Sequence, residues 1–145
     1  SDDFARSHPA GSLGRRLLVR IEDLMHAGSA LPRVALNATV TDALLEMSQK
    51  GLGMTAIVDA DGRLAGVFTD GDLRRALQKG PLDFSATPVT ALMAPQPKTV
   101  NQAHLAVEAA QLLERHQING LLVLDDAGLL VGALNLHDLL RARVL

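Results

Sequence analysis

The chain contains no cysteine, no tryptophan and no tyrosine, and its three aromatic residues are Phe4, Phe68 and Phe84. Without thiols there are no disulfides, no thiolate zinc sites and no cysteine nucleophiles. At 2% aromatic residues the chain lacks platforms for stacking single-stranded bases, and it lacks the Trp faces used by some carbohydrate binders. Charge of either sign is in no excess: 14 Lys and Arg stand against 16 Asp and Glu, a net charge of −2. No basic surplus is left to neutralise a phosphate backbone, which argues against nucleic acid as a partner. No apolar run approaches the roughly 20 residues of a membrane-spanning helix. The five histidines show neither metal-ligand spacing nor a His-Glu-x-x-His motif, so no metal site is expected. The chain opens Ser1-Asp2-Asp3, with no initiating Met and no apolar leader. These absences predict a cytoplasmic protein, cut from a longer one.

What the chain does have is aliphatic bulk. Apolar residues make up 48% of its 145 residues, enough for one compact domain or for two small modules sharing a core. A repeat favours the second. Val58-Asp59-Ala60-Asp61-Gly62-Arg63-Leu64-Ala65-Gly66 returns as Leu124-Asp125-Asp126-Ala127-Gly128-Leu129-Leu130-Val131-Gly132, an offset of 66. The same offset carries Asp72-Leu73 onto Asp138-Leu139, Arg75-Ala76 onto Arg141-Ala142, and Val34 onto Val100. Leu24-Met25 matches Leu92-Met93 at an offset of 68, so a loop differs by two residues. The chain is a tandem duplication.

Each repeat predicts the same elements. In the first, Thr41 is placed to cap a helix with Ala43, Leu44 and Met47 inward and Gly51 as its stop. Residues 54–58 and 64–68 read as strands around a tight turn at 60–63, and 72–78 as a second helix. In the second, Leu105, Ala109, Leu112 and Leu113 mark the helical face. Strands follow at 121–124 and 129–134, and a helix at 138–143. A strand near Val34 or Val100 precedes each first helix, and Met25 and Met93 read as core. The order is β-α-β-β-α, twice: an α/β fold of the α+β type. Residues 1–18 fall outside the repeat, with modules expected at 19–81 and 82–145.

The segment Gly66-Val67-Phe68-Thr69-Asp70-Gly71-Asp72-Leu73 resembles the signature of CBS (cystathionine-β-synthase) domains, and Gly132-Ala133-Leu134-Asn135-Leu136-His137-Asp138-Leu139 is its second copy. Two copies at this spacing look like a CBS pair, or Bateman module, packed as a pseudo-twofold unit. Ser7-His8-Pro9-Ala10-Gly11-Ser12-Leu13-Gly14, followed by Asp23-Leu24-Met25-His26, is similar to the junction in arabinose 5-phosphate isomerases of the sugar isomerase (SIS)–CBS family. Phe68-Thr69-Asp70-Gly71-Asp72-Leu73-Arg74-Arg75 also looks like that family's first signature, while Ala10 departs from its usual Gly. The resemblance implies a parent enzyme that interconverts ribulose 5-phosphate and arabinose 5-phosphate, the precursor of Kdo in lipopolysaccharide synthesis. It implies that residues 1–18 are the tail of the isomerase domain, with His8 contributing to the isomerase site only in the full enzyme. The fragment alone is then not catalytic and needs no cofactor.

The signature makes chemical sense for nucleotides. A strand turning into a helix leaves amide N–H groups free at the positive end of the helix dipole, where anionic oxygens bind. Thr69 can donate to a phosphate and Asp72 can accept from both hydroxyls of a ribose, the roles such family members assign them. Thr69 and Asp72 also have the spacing of a helix N-cap and its N3 acid, which serves folding alone. In the second copy Asn135 replaces Ser or Thr, Asp138 is retained for a ribose, and His137 adds a donor beside it. Arg74 and Arg75 suit a phosphate or carboxylate, or an exposed helix face. The expected ligand is AMP, ATP or the pathway's end product CMP-Kdo, in a cleft between modules. The alternative is a ligand-free pair that dimerises and braces the isomerase, with higher oligomers formed through the isomerase domain.

Overall fold

The computed structural model describes residues 14–145. Two modules follow the duplicated order. The first contains β1 (Arg33–Ala35), α1 (Val40–Lys50), β2 (Met54–Val58), β3 (Leu64–Thr69) and α2 (Asp70–Gln78), with a two-residue strand, β4 (Ala94–Pro95), completing its sheet. The second contains β5 (Thr99–Asn101), α3 (Ala106–His116), β6 (Gly120–Leu124), β7 (Leu130–Asn135) and α4 (Leu136–Arg141). The sheets run β1-β2-β3-β4 and β5-β6-β7. In each, the first strand pairs parallel to the next and the hairpin that follows is antiparallel.

Local chemistry explains the elements. The cap of α1 is Thr39, not the expected Thr41: its hydroxyl accepts from Asp42 N–H, and the Asp42 carboxylate accepts from Thr39 N–H at 2.9 Å. Thr39 wins because an acid stands three residues after it and closes the capping box. Val40, Ala43 and Met47 then face inward, and Gly51 ends the helix in the left-handed conformation at φ 74°. The hairpin turns are copies of each other. Asp59 accepts from Asp61 and Arg63 N–H, and Asp125 accepts from Ala127 and Leu129 N–H, all at 2.9 Å.

Strand alternation divides side chains between three cores. Ile57 and Phe68 pack with Val40, Ala43 and Met47 under the first module's helix. Leu121, Val123 and Leu134 do the same with Ala109, Leu113 and Leu139 in the second. The opposite strand faces meet between the modules, where Met54 and Ala56 pack on Leu122, Leu130 and Ala133. Each fully buried aliphatic or aromatic side chain contributes about 1.5–3 kcal/mol, so the interface is a core in its own right.

The modules also exchange segments. Ile21, from the turn Ile21–Asp23, lies in the core of the second module, and Val89, from Val89–Ala91, lies in the core of the first. His26 exchanges both backbone hydrogen bonds with Ala133, while Ala94 and Pro95 pair with Val67 and Gly66. Met25 and Met93, both partly buried on these cores as expected, cover Gly132 and Gly66, where any Cβ would collide with them. Reciprocal contacts of this kind define a pseudo-twofold pair.

Candidate functional site

The signatures end at a common cleft of about 930 Å³ between the modules. Thr69, Asp72, Arg74, Arg75, Asn135 and His137 all line it, so six expected residues come together. Asp138 does not line it. It borders a separate hollow of about 310 Å³ with Asp23, Leu24, Arg141 and Ala142. His8 lies outside the described residues.

At the first signature, Thr69 is the N-cap of α2. Its Oγ1 accepts from Asp72 N–H at 3.2 Å and donates to Asp72 Oδ2 at 3.0 Å, and Thr69 N–H donates to the same oxygen. The cap reading is therefore realised. The other carboxylate oxygen, Oδ1, accepts from Arg75 at 2.7 Å. These bonds hold the loop in shape without sealing it. The Arg75 side chain is 62% exposed, and Asp72, at 12%, still reaches the cleft. Gly71 keeps the space above the first helical turn open: a Cβ there would stand 3.3 Å from the Arg75 guanidinium and 3.6 Å from Thr69 Oγ1. Helix dipole, guanidinium and hydroxyl converge where an anion fits.

The second signature repeats the cap but not the opening. Asn135 Oδ1 accepts from Asp138 N–H, and Asp138 Oδ2 accepts from Asn135 N–H, each at 2.9 Å. Asp138 Oδ1 takes Arg141 at 2.6 Å and His26 Nε2 at 2.8 Å, leaving the side chain 4% exposed. Burial works to raise the pKa of Asp138, but bonds from Asn135 N–H, His26 and Arg141 outweigh it and hold the carboxyl below its ordinary value.

The remaining walls were not foreseen. Leu52, Met54, Val67, Ile118 and Leu122 give the cleft an aliphatic side, and Gln96, Lys98 and Asn119 add polar groups. Gln96 sits at φ 54°, between the prolines of Pro95-Gln96-Pro97-Lys98. A cation directly after that proline pair, shortly beyond Leu92-Met93, was the available signal for Lys98.

The model of the CBS domain family matches residues 19–79 and 89–145. The chain is 52% identical over 145 residues to the arabinose 5-phosphate isomerase KdsD of Pseudomonas aeruginosa, covering all of this chain and 44% of that protein. It thus spans less than half the length of that relative. Among solved structures, it is similar to the CBS domain protein PAE2072 from Pyrobaculum aerophilum complexed with AMP, with a TM-score of 0.74 and 25% identity over 83% of this chain and 90% of that one. It is also similar to CBSX2 from Arabidopsis thaliana in complex with AMP, with a TM-score of 0.72 and 27% identity over 87% and 96%.

Proposed function

The chain belongs to the CBS domain family, and we propose that it is the nucleotide-sensing regulatory pair of an arabinose 5-phosphate isomerase. The observation that carries this reading is the open N-terminus of α2. Gly71 leaves room above the first turn, Arg75 reaches over it, and Asp72 faces a cleft of about 930 Å³. Phosphate settles on the α2 amides and the Thr69 hydroxyl, ribose hydroxyls donate to Asp72, and the base lies against Leu52, Met54, Val67 and Leu122. Because no Phe, Tyr or Trp is among the residues lining the cleft, the base is held by aliphatic contact, which suits reversible binding.

The ligand is AMP, ATP or the nucleotide-sugar CMP-Kdo. Arg74, Lys98 and His137 around the same cleft suit a second acidic group, which favours CMP-Kdo as a feedback signal. The parent enzyme works in the cytoplasm and assembles through both its isomerase domain and this pair. Titration calorimetry of the 145-residue chain with AMP, ATP, CMP and CMP-Kdo tests the reading. Saturable heat with at least one supports it, and no heat with any of the four overturns it.

Two observations favour a second reading, a ligand-free dimerisation brace. Thr69 and Asp72 satisfy each other within the chain, and Leu45, Leu77 and Leu140 stand exposed. Light scattering beside the titration separates the two: a stable dimer indifferent to every nucleotide supports bracing.

A further inference from the structure

Two carboxylates with the same motif spacing have different surroundings, and one substitution accounts for it. Val67 in the first module and Ala133 in the second are equivalent by the 66-residue offset. Each pairs with a residue arriving from outside its own repeat: Ala94 on Val67, His26 on Ala133. Ala94 and His26 are themselves equivalent by the 68-residue offset. Where the second module has an imidazole, with Nε2 at 2.8 Å from Asp138, the first has only the methyl group of Ala94. Asp72 lines the cleft and its side chain is 12% exposed, whereas Asp138 is withdrawn to 4%.

The surrounding positions follow the same division. Where the first signature has Gly71 and Arg74, the second has His137 and Leu140, so the glycine and the arginine are both absent there. Leu136–Arg141 is also only 6 residues long, against 9 for Asp70–Gln78. The charged groups facing Asp138 are His26 from the exchanged segment and Arg141 from its own helix, with Asp23 across the small hollow.

We infer that the chain takes one nucleotide, held by the first signature, and that Asp138 is a clasp fixing the exchanged His26 segment to the second module. This rests on the nucleotide reading above and narrows it: the duplication keeps two signatures, but His26 converts one of them from recognition to assembly. Asp72 is the ribose-selecting carboxylate, and its twin in sequence is not.

Calorimetric titration of the wild-type chain with AMP, ATP, CMP and CMP-Kdo gives the number of ligands per chain. The expected result is one, with Asp72→Asn weakening binding about tenfold, the order of one charge-assisted hydrogen bond. His26→Gln leaves affinity and count unchanged and lowers the melting temperature by about 5 °C. Asp138→Asn also keeps one ligand per chain; if it does not fold, His26→Gln alone tests the clasp. Two ligands per wild-type chain overturn the inference while leaving the nucleotide reading standing, as does weakening by Asp138→Asn to the level of Asp72→Asn. No binding of any of the four compounds overturns both.

Discussion

His26 Nε2 lies 2.8 Å from Asp138 Oδ1, across 112 residues of sequence. The bond ties the opening segment of the first repeat to the signature of the second. Because Asp138 is buried and His26 only 28% exposed at its side chain, the pair couples energetically. In a double-mutant cycle with His26→Gln and Asp138→Asn, the expected coupling is about 1 kcal/mol. Chemical denaturation of the four proteins measures it, and strictly additive losses would contradict it.

The glycines beneath the two methionines are predicted to differ in tolerance. A Cβ on Gly66 would stand 2.9 Å from the carbonyl oxygen of Ala94, which is backbone, as well as 2.5 Å from Met93 Sδ. A Cβ on Gly132 meets only Met25 side-chain atoms, of which Sδ and Cγ can turn aside while Cβ, at 3.1 Å, is only tight. Gly66→Ala is expected to cost about 1–3 kcal/mol, an overpacking penalty, and Gly132→Ala less. Thermal melts of the two variants give the order directly, and the reverse order would exclude this packing account.

Acid should weaken the clasp. The pKa of Asp138 is depressed in the fold, against the effect of burial, by bonds from Asn135 N–H, His26 and Arg141. A carboxyl with a lowered folded pKa stabilises the protein fully above its unfolded value, and the contribution disappears as pH falls through the folded value. The loss therefore begins near the ordinary value of 3.8 and deepens below it. Urea melts from about pH 6 to about pH 2 should show wild type losing more stability than Asp138→Asn over that fall. Parallel curves would place the acid sensitivity elsewhere.

The β-α-β-β-α repeat was legible because its hairpin strands are five- and six-residue runs, mostly apolar, around copied Asp-containing turns. The common cleft was legible in its Thr69, Asp72 and Asn135 landmarks. Two things were not. Thr39 and Thr41 both qualify as caps by residue type, and only the position of Asp42 decides between them. The exchanged strands are two residues or a single bridge long, too short to carry periodicity. Their one trace was the change of offset from 66 to 68 around Leu24-Met25 and Leu92-Met93. Asn135, His137 and Leu140 mark the second signature as different from the first, but only that crossing brings His26 onto Asp138.

Thr69 caps α2, and the proposed nucleotide site gives it a second duty; its substitution should reveal both. Thr69→Ala removes the cap of α2 and is expected to cost about 0.5–2 kcal/mol of stability. It also removes a donor to phosphate, so nucleotide affinity should fall about tenfold. Thr69→Ser keeps the hydroxyl and should restore both. Melts and titrations on the same samples separate the effects; loss of stability with affinity intact would leave Thr69 as a cap alone.

The most direct measurement of nucleotide recognition at the first signature is an amide-resolved NMR titration of the chain with AMP, ATP, CMP and CMP-Kdo in turn. Saturable shifts are predicted for at least one of them at Thr69, Gly71 and Asp72 and along residues 94–98, complete at one equivalent per chain, with the Asp138 amide unmoved. No saturable shift with any of the four, or equal shifts at Asp72 and Asp138, would contradict it.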